Sequence, residues 1–109
     1  MKISKLDLEP KVIDFLTSEG YKELFEPQEQ SVKAGLFDDK KNFLITIPTA
    51  SGKTLIAMLA ILSHLSKYKT KVIYLTPLRA LTSEKFEEFK KLEKLNLGRK
   101  IKVALSTGD

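Results

Sequence analysis

The sequence contains no cysteine and no tryptophan. Without thiols there is no disulfide framework and no thiolate metal site, so nothing points to an oxidising, secretory setting. Its single histidine, His64, has no second histidine or cysteine at ligand spacing and reads as structural. The five glycines and four prolines are scattered, and no linker rich in them divides the chain. The longest strictly apolar run, Leu55 to Leu62, is eight residues, far short of the roughly 20 needed to span a bilayer. Lys2 and Lys5 are followed by Asp7 and Glu9 before any apolar stretch that a signal peptide would need. The expectation is a soluble, cytoplasmic protein.

What remains is ordinary globular composition: 109 residues, 42% hydrophobic and 30% charged, enough for one domain with a modest core. The net charge of +5 is unevenly spread. Residues 1–66 hold eight lysines against nine acids, whereas residues 67–109 hold nine lysines and two arginines against five acids. A basic half attracts polyanions such as nucleic acid, and it can equally be a solvated lysine surface.

Hydrophobic periodicity divides the chain into N-terminal helices over 1–41 and an alternating strand and helix portion over 42–109. Pro10 suits a first helical position, Val12, Ile13 and Leu16 share a face, and Gly20 suits a stop. A second helix opens at Pro27 and is expected to carry Val32, Leu36 and Phe37 towards a core. Phe43 to Ile47 is a short apolar run of the kind buried on both faces in a parallel sheet. Lys53 to about Ser66 is apolar on almost every side. Lys71 to Thr76 and Ile101 to Leu105 read as two further strands. Between them lies a helix capped by Thr76-Pro77, with Leu78, Leu81, Phe86, Phe89, Leu92 and Leu95 on one face, ending at Asn96 or Gly98. This order implies an α/β fold with a parallel sheet, flanking helices and right-handed crossovers, whose ligands sit beyond the carboxyl ends of the strands.

The loop after the first expected strand, Ile47-Pro48-Thr49-Ala50-Ser51-Gly52-Lys53-Thr54, has the features of a phosphate-binding loop. Small residues let several backbone N–H groups converge on phosphate oxygens, and Gly52 leaves room for close approach. The following helix N-terminus adds about half a unit of positive charge. Lys53 offers a mobile cation for the β- and γ-phosphates, and the Thr54 hydroxyl is suited to ligate Mg²⁺. Ile47 stands where the general Gly-x-x-x-x-Gly-Lys-[Ser/Thr] pattern has glycine.

With that loop, the chain resembles the first motor domain of a superfamily 2 helicase, a RecA-like P-loop NTPase. Such enzymes commonly carry Pro-Thr-x-Ser-Gly-Lys-Thr, as in residues 48–54. Leu24-Phe25-Glu26-Pro27-Gln28 resembles the family's adenine-reading Q motif, and Gln28 lies 25 positions before Lys53. The resemblance implies that Gln28 matches the adenine edge and that Phe25 packs on the ring. Thr76-Pro77-Leu78-Arg79-Ala80-Leu81 resembles motif Ia, and Ser106-Thr107-Gly108-Asp109 the next nucleic-acid motif. By resemblance, Pro77, Leu78, Arg79, Ala80, Thr107 and Gly108 contact the strand, ATP and Mg²⁺ are the cofactors, and nucleic acid, DNA over RNA, is the partner. The wording of these motifs is most similar to the Ski-like branch, and within it to archaeal DNA-repair helicases acting at stalled forks.

The residues themselves temper this reading. Gln28 alone would be an ordinary surface helix residue. Arg79 lies in a first helical turn, where a cation opposes the helix dipole, which favours a role towards phosphate. Phe86 and Phe89 read as core, and the Lys90-Lys91 and Lys100-Lys102 charges as solvated faces. No Asp-Glu-x-x sequence, the acidic box that completes the Mg²⁺ site in such motors, occurs in the 109 residues. The chain is therefore expected to be an N-terminal piece of a helicase, without hydrolysis of its own. An RNA helicase of the same branch, a small P-loop kinase and a non-catalytic nucleic-acid-binding module are the alternatives.

Overall fold

Four α-helices and two 3₁₀ turns form among the described residues, which are 1–38, 40, 42–45, 52–69, 71–75, 79–98 and 100–104 of the computed structural model, with 79–83 described through their backbone. The helices are α1 (Pro10–Ser18), α2 (Glu26–Lys33), α3 (Lys53–Lys67) and α4 (Arg79–Lys90), and the 3₁₀ turns are Ile3–Lys5 and Lys91–Lys94. The chain divides into two units, Met1–Thr70 and Lys71–Asp109.

In the first unit the expected boundaries of α1 are realised. Pro10 occupies the first turn, where its missing N–H costs no hydrogen bond. At the other end Gly20 takes φ +96°, its N–H bonds Thr17 O, and the Tyr21 N–H bonds Leu16 O, both at 3.0 Å. This is a Schellman cap, which satisfies carbonyls left over at the helix end. Residues Gly35 and Leu36 close α2 with the same pair of bonds, to Val32 O and Ser31 O. Ile3, Leu6, Val12, Phe15, Leu16 and Leu24 are buried, as are Leu55, Ile56, Met58, Leu59 and Leu62 of α3. α1 packs on the first 3₁₀ turn and α2 on α3. The chain start is pinned by an antiparallel bridge from Lys2 to Glu23 and by Ile3 N–H to Lys22 O and Leu24 N–H to Met1 O, both 2.9 Å.

The buried face of α2 differs from expectation. Gln28 and Ser31 are its buried residues, whereas Val32, Leu36 and Phe37 are only half-buried. The helix ends at Lys33, so Leu36 and Phe37 lie beyond it, and Ser31 satisfies its hydroxyl on Pro27 O at 2.9 Å.

In the second unit α4 gives way to the Lys91–Lys94 turn and does not continue as α-helix to Asn96. In a 3₁₀ turn residues three apart are stacked on one side, which keeps Leu92 and Leu95 buried with Phe89 despite the early end. The Tyr74 ring lies 4.7 Å from that of Phe89. Phe86 is half-buried, with the Lys90 ammonium 5.5 Å from its ring centre.

The parallel sheet is the main departure: among the described residues no strand forms at 43–45, 71–75 or 101–104. Leu44 is 96% exposed, and along 72–75 exposure alternates, with Ile73 at 82% and Leu75 at 86% between the more covered Val72 and Tyr74. That period of two belongs to extended backbone, but among the described residues no ladder pairs with it. Helices satisfy their hydrogen bonds within four residues, whereas parallel strands depend wholly on other segments. Among the described residues no helix is long and apolar enough to cross a membrane.

Candidate nucleotide site

The site is built where α2 and α3 begin. Phe25 precedes α2 in extended conformation and Pro27 sits in the first turn. Gln28, the third helical residue, reaches back so that its Oε1 accepts the Phe25 N–H at 2.8 Å. A side chain at this position satisfies one of the backbone donors that every helix start leaves over. The other end of the same amide, Nε2, donates to Gly52 O at 3.2 Å. Gln28 is thereby only 3% exposed, while the Phe25 ring beside it is 70% exposed. One amide links the start of α2 to a residue 24 positions later.

Gly52 is the N-cap of α3 and adopts φ +96°, ψ −26°, a left-handed conformation in which a side chain is strained. A Cβ there would come within 3.1 Å of Gln28 Nε2, so glycine admits the glutamine as well as the turn. With no side chain, Gly52 cannot cap α3, and the first turn of α3 holds no acid. The positive end of this helix is thus left for an anion. Lys53, its first residue, is exposed, and Thr54 is half-buried. A glycine turn, an exposed lysine and a first turn without an acid make this helix start able to accept an anion.

Not every expected site residue can be placed. Ile47, Pro48, Thr49, Ala50, Ser51, Pro77, Leu78, Thr107 and Gly108 lie outside the described residues, as do the side chains of Arg79 and Ala80, whose backbone opens α4. The bond from Gln28 to Gly52 was not foreseen. Its trace in the sequence is a glutamine on the third position of a Pro-started helix, where such side chains turn back on the backbone. Next to Gln28, Glu29 pairs with Lys33 Nζ and with the Met1 amino group, both at 2.8 Å. The Lys33 hydrogen bond, then that of the amino group, lowers its pKa to about 2. His64 rests 4.9 Å, ring to ring, from Tyr68.

A profile of the DEAD/DEAH box helicases matches residues 25–109, from Phe25 through the whole of the second unit. The chain belongs to this helicase family. It is 46% identical over 109 residues to the ATP-dependent DNA helicase Hel308 of Pyrococcus horikoshii, covering all of this chain and 14% of that protein. It is 44% identical over 110 residues to Hel308 of Methanocella arvoryzae, covering all of this chain and 15% of the relative. With Hel308 of Methanocaldococcus jannaschii it shares 49% over 105 residues, 91% of this chain and 8% of the relative. The chain thus spans about a seventh of the length of the first relatives it matches. The helicase family carries with it the RecA-like P-loop fold and agrees with the resemblance drawn from the motifs.

Proposed function

We propose that the chain is the ATP-binding portion of motor domain 1 of an ATP-dependent DNA helicase acting in the cytoplasm. The observation that carries the nucleotide site is the Gln28 amide on Gly52 O, 3.2 Å across 24 positions of sequence. It ties the adenine-type segment to the phosphate-type loop. Similarity to Hel308 along the whole chain supports DNA as the nucleic acid.

In this reading residues 47–52 and the N–H groups opening α3 hold the phosphates, and Lys53 adds a cation to them. The hydroxyl of Thr54 is the protein ligand to Mg²⁺, which neutralises phosphate charge when bound. Phe25, exposed beside Gln28, packs on the adenine, and Gln28 reads its edge with the donor and the lone pair its two backbone bonds leave over. Arg79, with Pro77, Leu78, Ala80, Thr107 and Gly108, contacts the nucleic-acid strand. The segments 43–47, 71–76 and 101–105 pair as a parallel sheet once the neighbouring strands of the motor are present. The 109 residues hold no Asp-Glu-x-x box, so in this reading they bind ATP without turning it over.

Binding of a fluorescent ATP analogue tests this. Lys53→Ala is expected to weaken binding at least about tenfold, the scale of one charge-assisted contact. Equal binding by Lys53→Ala and the parent chain overturns the phosphate-loop assignment. Appreciable ATP turnover by the purified chain, abolished in Lys53→Ala, overturns the view that the chain binds ATP without hydrolysing it.

A further inference from the structure

A cleft of about 760 Å³ opens in the first unit where α2 and α3 end, a volume within the range of small-molecule sites. Val32 and Gly35 line it from the end of α2, and Ser63, Ser66 and Lys67 from the last turn of α3. The chain between the first 3₁₀ turn and α1 closes the remaining side. The cleft has both apolar and charged surface. Leu6 is buried beneath it, and Leu8, Val32 and Phe37 are half-buried along it. Asp7, Glu9 and Asp38 are exposed on it.

The carboxylates have capacity to spare. Glu9 is the N-cap of α1, yet its side chain makes no capping bond. Asp7 and Glu9 enter no ion pair among the described residues. Asp38 uses only Oδ1, which accepts the Lys40 N–H at 3.0 Å. The carboxyl ends of α2 and α3 add partial negative charge at the same place. The Ser66 hydroxyl donates to Leu62 O at 2.7 Å, which leaves its oxygen lone pairs to accept from a ligand. Against these acids stand two lysines. Lys67 donates its ammonium to Phe37 O, and Lys5 is exposed. The Met1 amino group, also on the cleft, is held by Glu29. The balance draws a cation.

The spacing of the acids says which kind. Among the described residues no three acidic, histidine or cysteine side chains come together closely enough to hold a metal ion. Asp7, Glu9 and Asp38 therefore address separate points of a cleft that also carries the apolar residues. The matching ligand has several positive groups joined by apolar links. An extended peptide suits the cleft less well, because among the described residues no strand borders it to pair the peptide backbone. Peptide groups left unpaired on leaving water oppose binding.

We propose that this cleft binds a linear aliphatic polyamine, with its ammonium groups towards Asp7, Glu9 and Asp38 and its methylene chain over Leu8, Val32 and Phe37. None of these residues belongs to the nucleotide site, and the inference does not depend on the helicase reading.

Isothermal titration of the 109-residue chain with spermidine, at low ionic strength and without nucleotide, tests this. Saturable one-to-one binding is expected. Asp7→Asn, Glu9→Gln and Asp38→Asn together should weaken it at least about tenfold, the scale of three exposed charge pairs. Lys5→Gln should tighten it about two- to threefold by removing a like charge. Asp7→Glu with Glu9→Asp, which keeps the charges, should stay within about threefold of the parent and separates charge from folding. Binding of the ATP analogue should be the same in all of them. Equal spermidine binding by the carboxamide variant and the parent overturns the proposal. So does displacement of spermidine by methylammonium at equal charge concentration, which makes the cleft a surface for diffuse counterions. Tighter binding of an acetylated trilysine amide, equal in charge to spermidine and lost in the same variant, makes the cleft a peptide site and also overturns it.

Discussion

Replacing Gln28 by alanine removes two bonds at once, because one amide holds both the Phe25 N–H and Gly52 O. The two losses are unequal. Gly52 O also accepts the Ile56 N–H at 3.3 Å, so it keeps a partner, and the net loss there falls near the low end of about 0.5–1.5 kcal/mol. The Phe25 N–H, at the start of α2, loses its side-chain acceptor, a capping loss of about 1 kcal/mol. Together they destabilise the first unit by about 1.5 kcal/mol, or about 6 °C in melting midpoint for a chain of this size. Urea denaturation followed by circular dichroism measures this, and nucleotide titrations measure the functional side. If Gln28 only clamps the two helices, Gln28→Ala weakens ATP and GTP alike; if it also reads adenine, ATP loses more. Gln28→Glu sharpens the test, since an ionised carboxylate would face Gly52 O where Nε2 donates now. That glutamate is expected to have a raised pKa in the folded chain, because only its protonated form can donate. Its destabilisation is then full at pH above that raised value and fades as pH falls from it to the unfolded carboxylate value. Stability unchanged to within about 0.5 kcal/mol in Gln28→Ala, the range of ordinary surface changes, would refute the clamp.

Gly52→Ala places a Cβ 3.1 Å from Gln28 Nε2 at φ +96°, and should cost about 1–2 kcal/mol in urea denaturation and weaken ATP binding. Glu29, held at a pKa of about 2 against an ordinary 4.5 by Lys33 and the Met1 amino group, contributes stability that is complete above the ordinary value and lost as pH falls through about 2. Glu29→Gln should flatten that part of the acid unfolding curve, and an NMR titration of the Glu29 carboxyl should show the low midpoint. Leu59, fully buried in α3, should cost about 2–5 kcal/mol on change to alanine, whereas the exposed Leu44 should cost little in the same assay.

Why some of this was readable from residues alone, and some not, follows from the range of the interactions. Pro10 and Gly20 mark the ends of α1 because a fixed φ and a left-handed turn act on the residue that carries them. Gly52 and Lys53 likewise open α3 where the phosphate-loop pattern put them. Taken alone Gln28 reads as a surface residue, yet it is buried, because its amide turns inward to a carbonyl 24 positions away. No periodicity of α2 encodes that contact, and the motif match points Gln28 to an adenine edge, not to the Gly52 carbonyl. The same distinction explains 72–75, where the alternation proper to a strand is present in the exposures but no ladder forms among the described residues. Alternation is a property of one segment, whereas a parallel ladder is a property of several. The two halves of the candidate machinery therefore rest on different kinds of support. The segments assigned to adenine and phosphate meet through the Gln28–Gly52 bond within one unit, and the residues assigned to nucleic acid rest on motif likeness. A salt-dependence experiment on Arg79 variants is consequently worth more than another nucleotide titration, since it tests the half that rests on likeness alone.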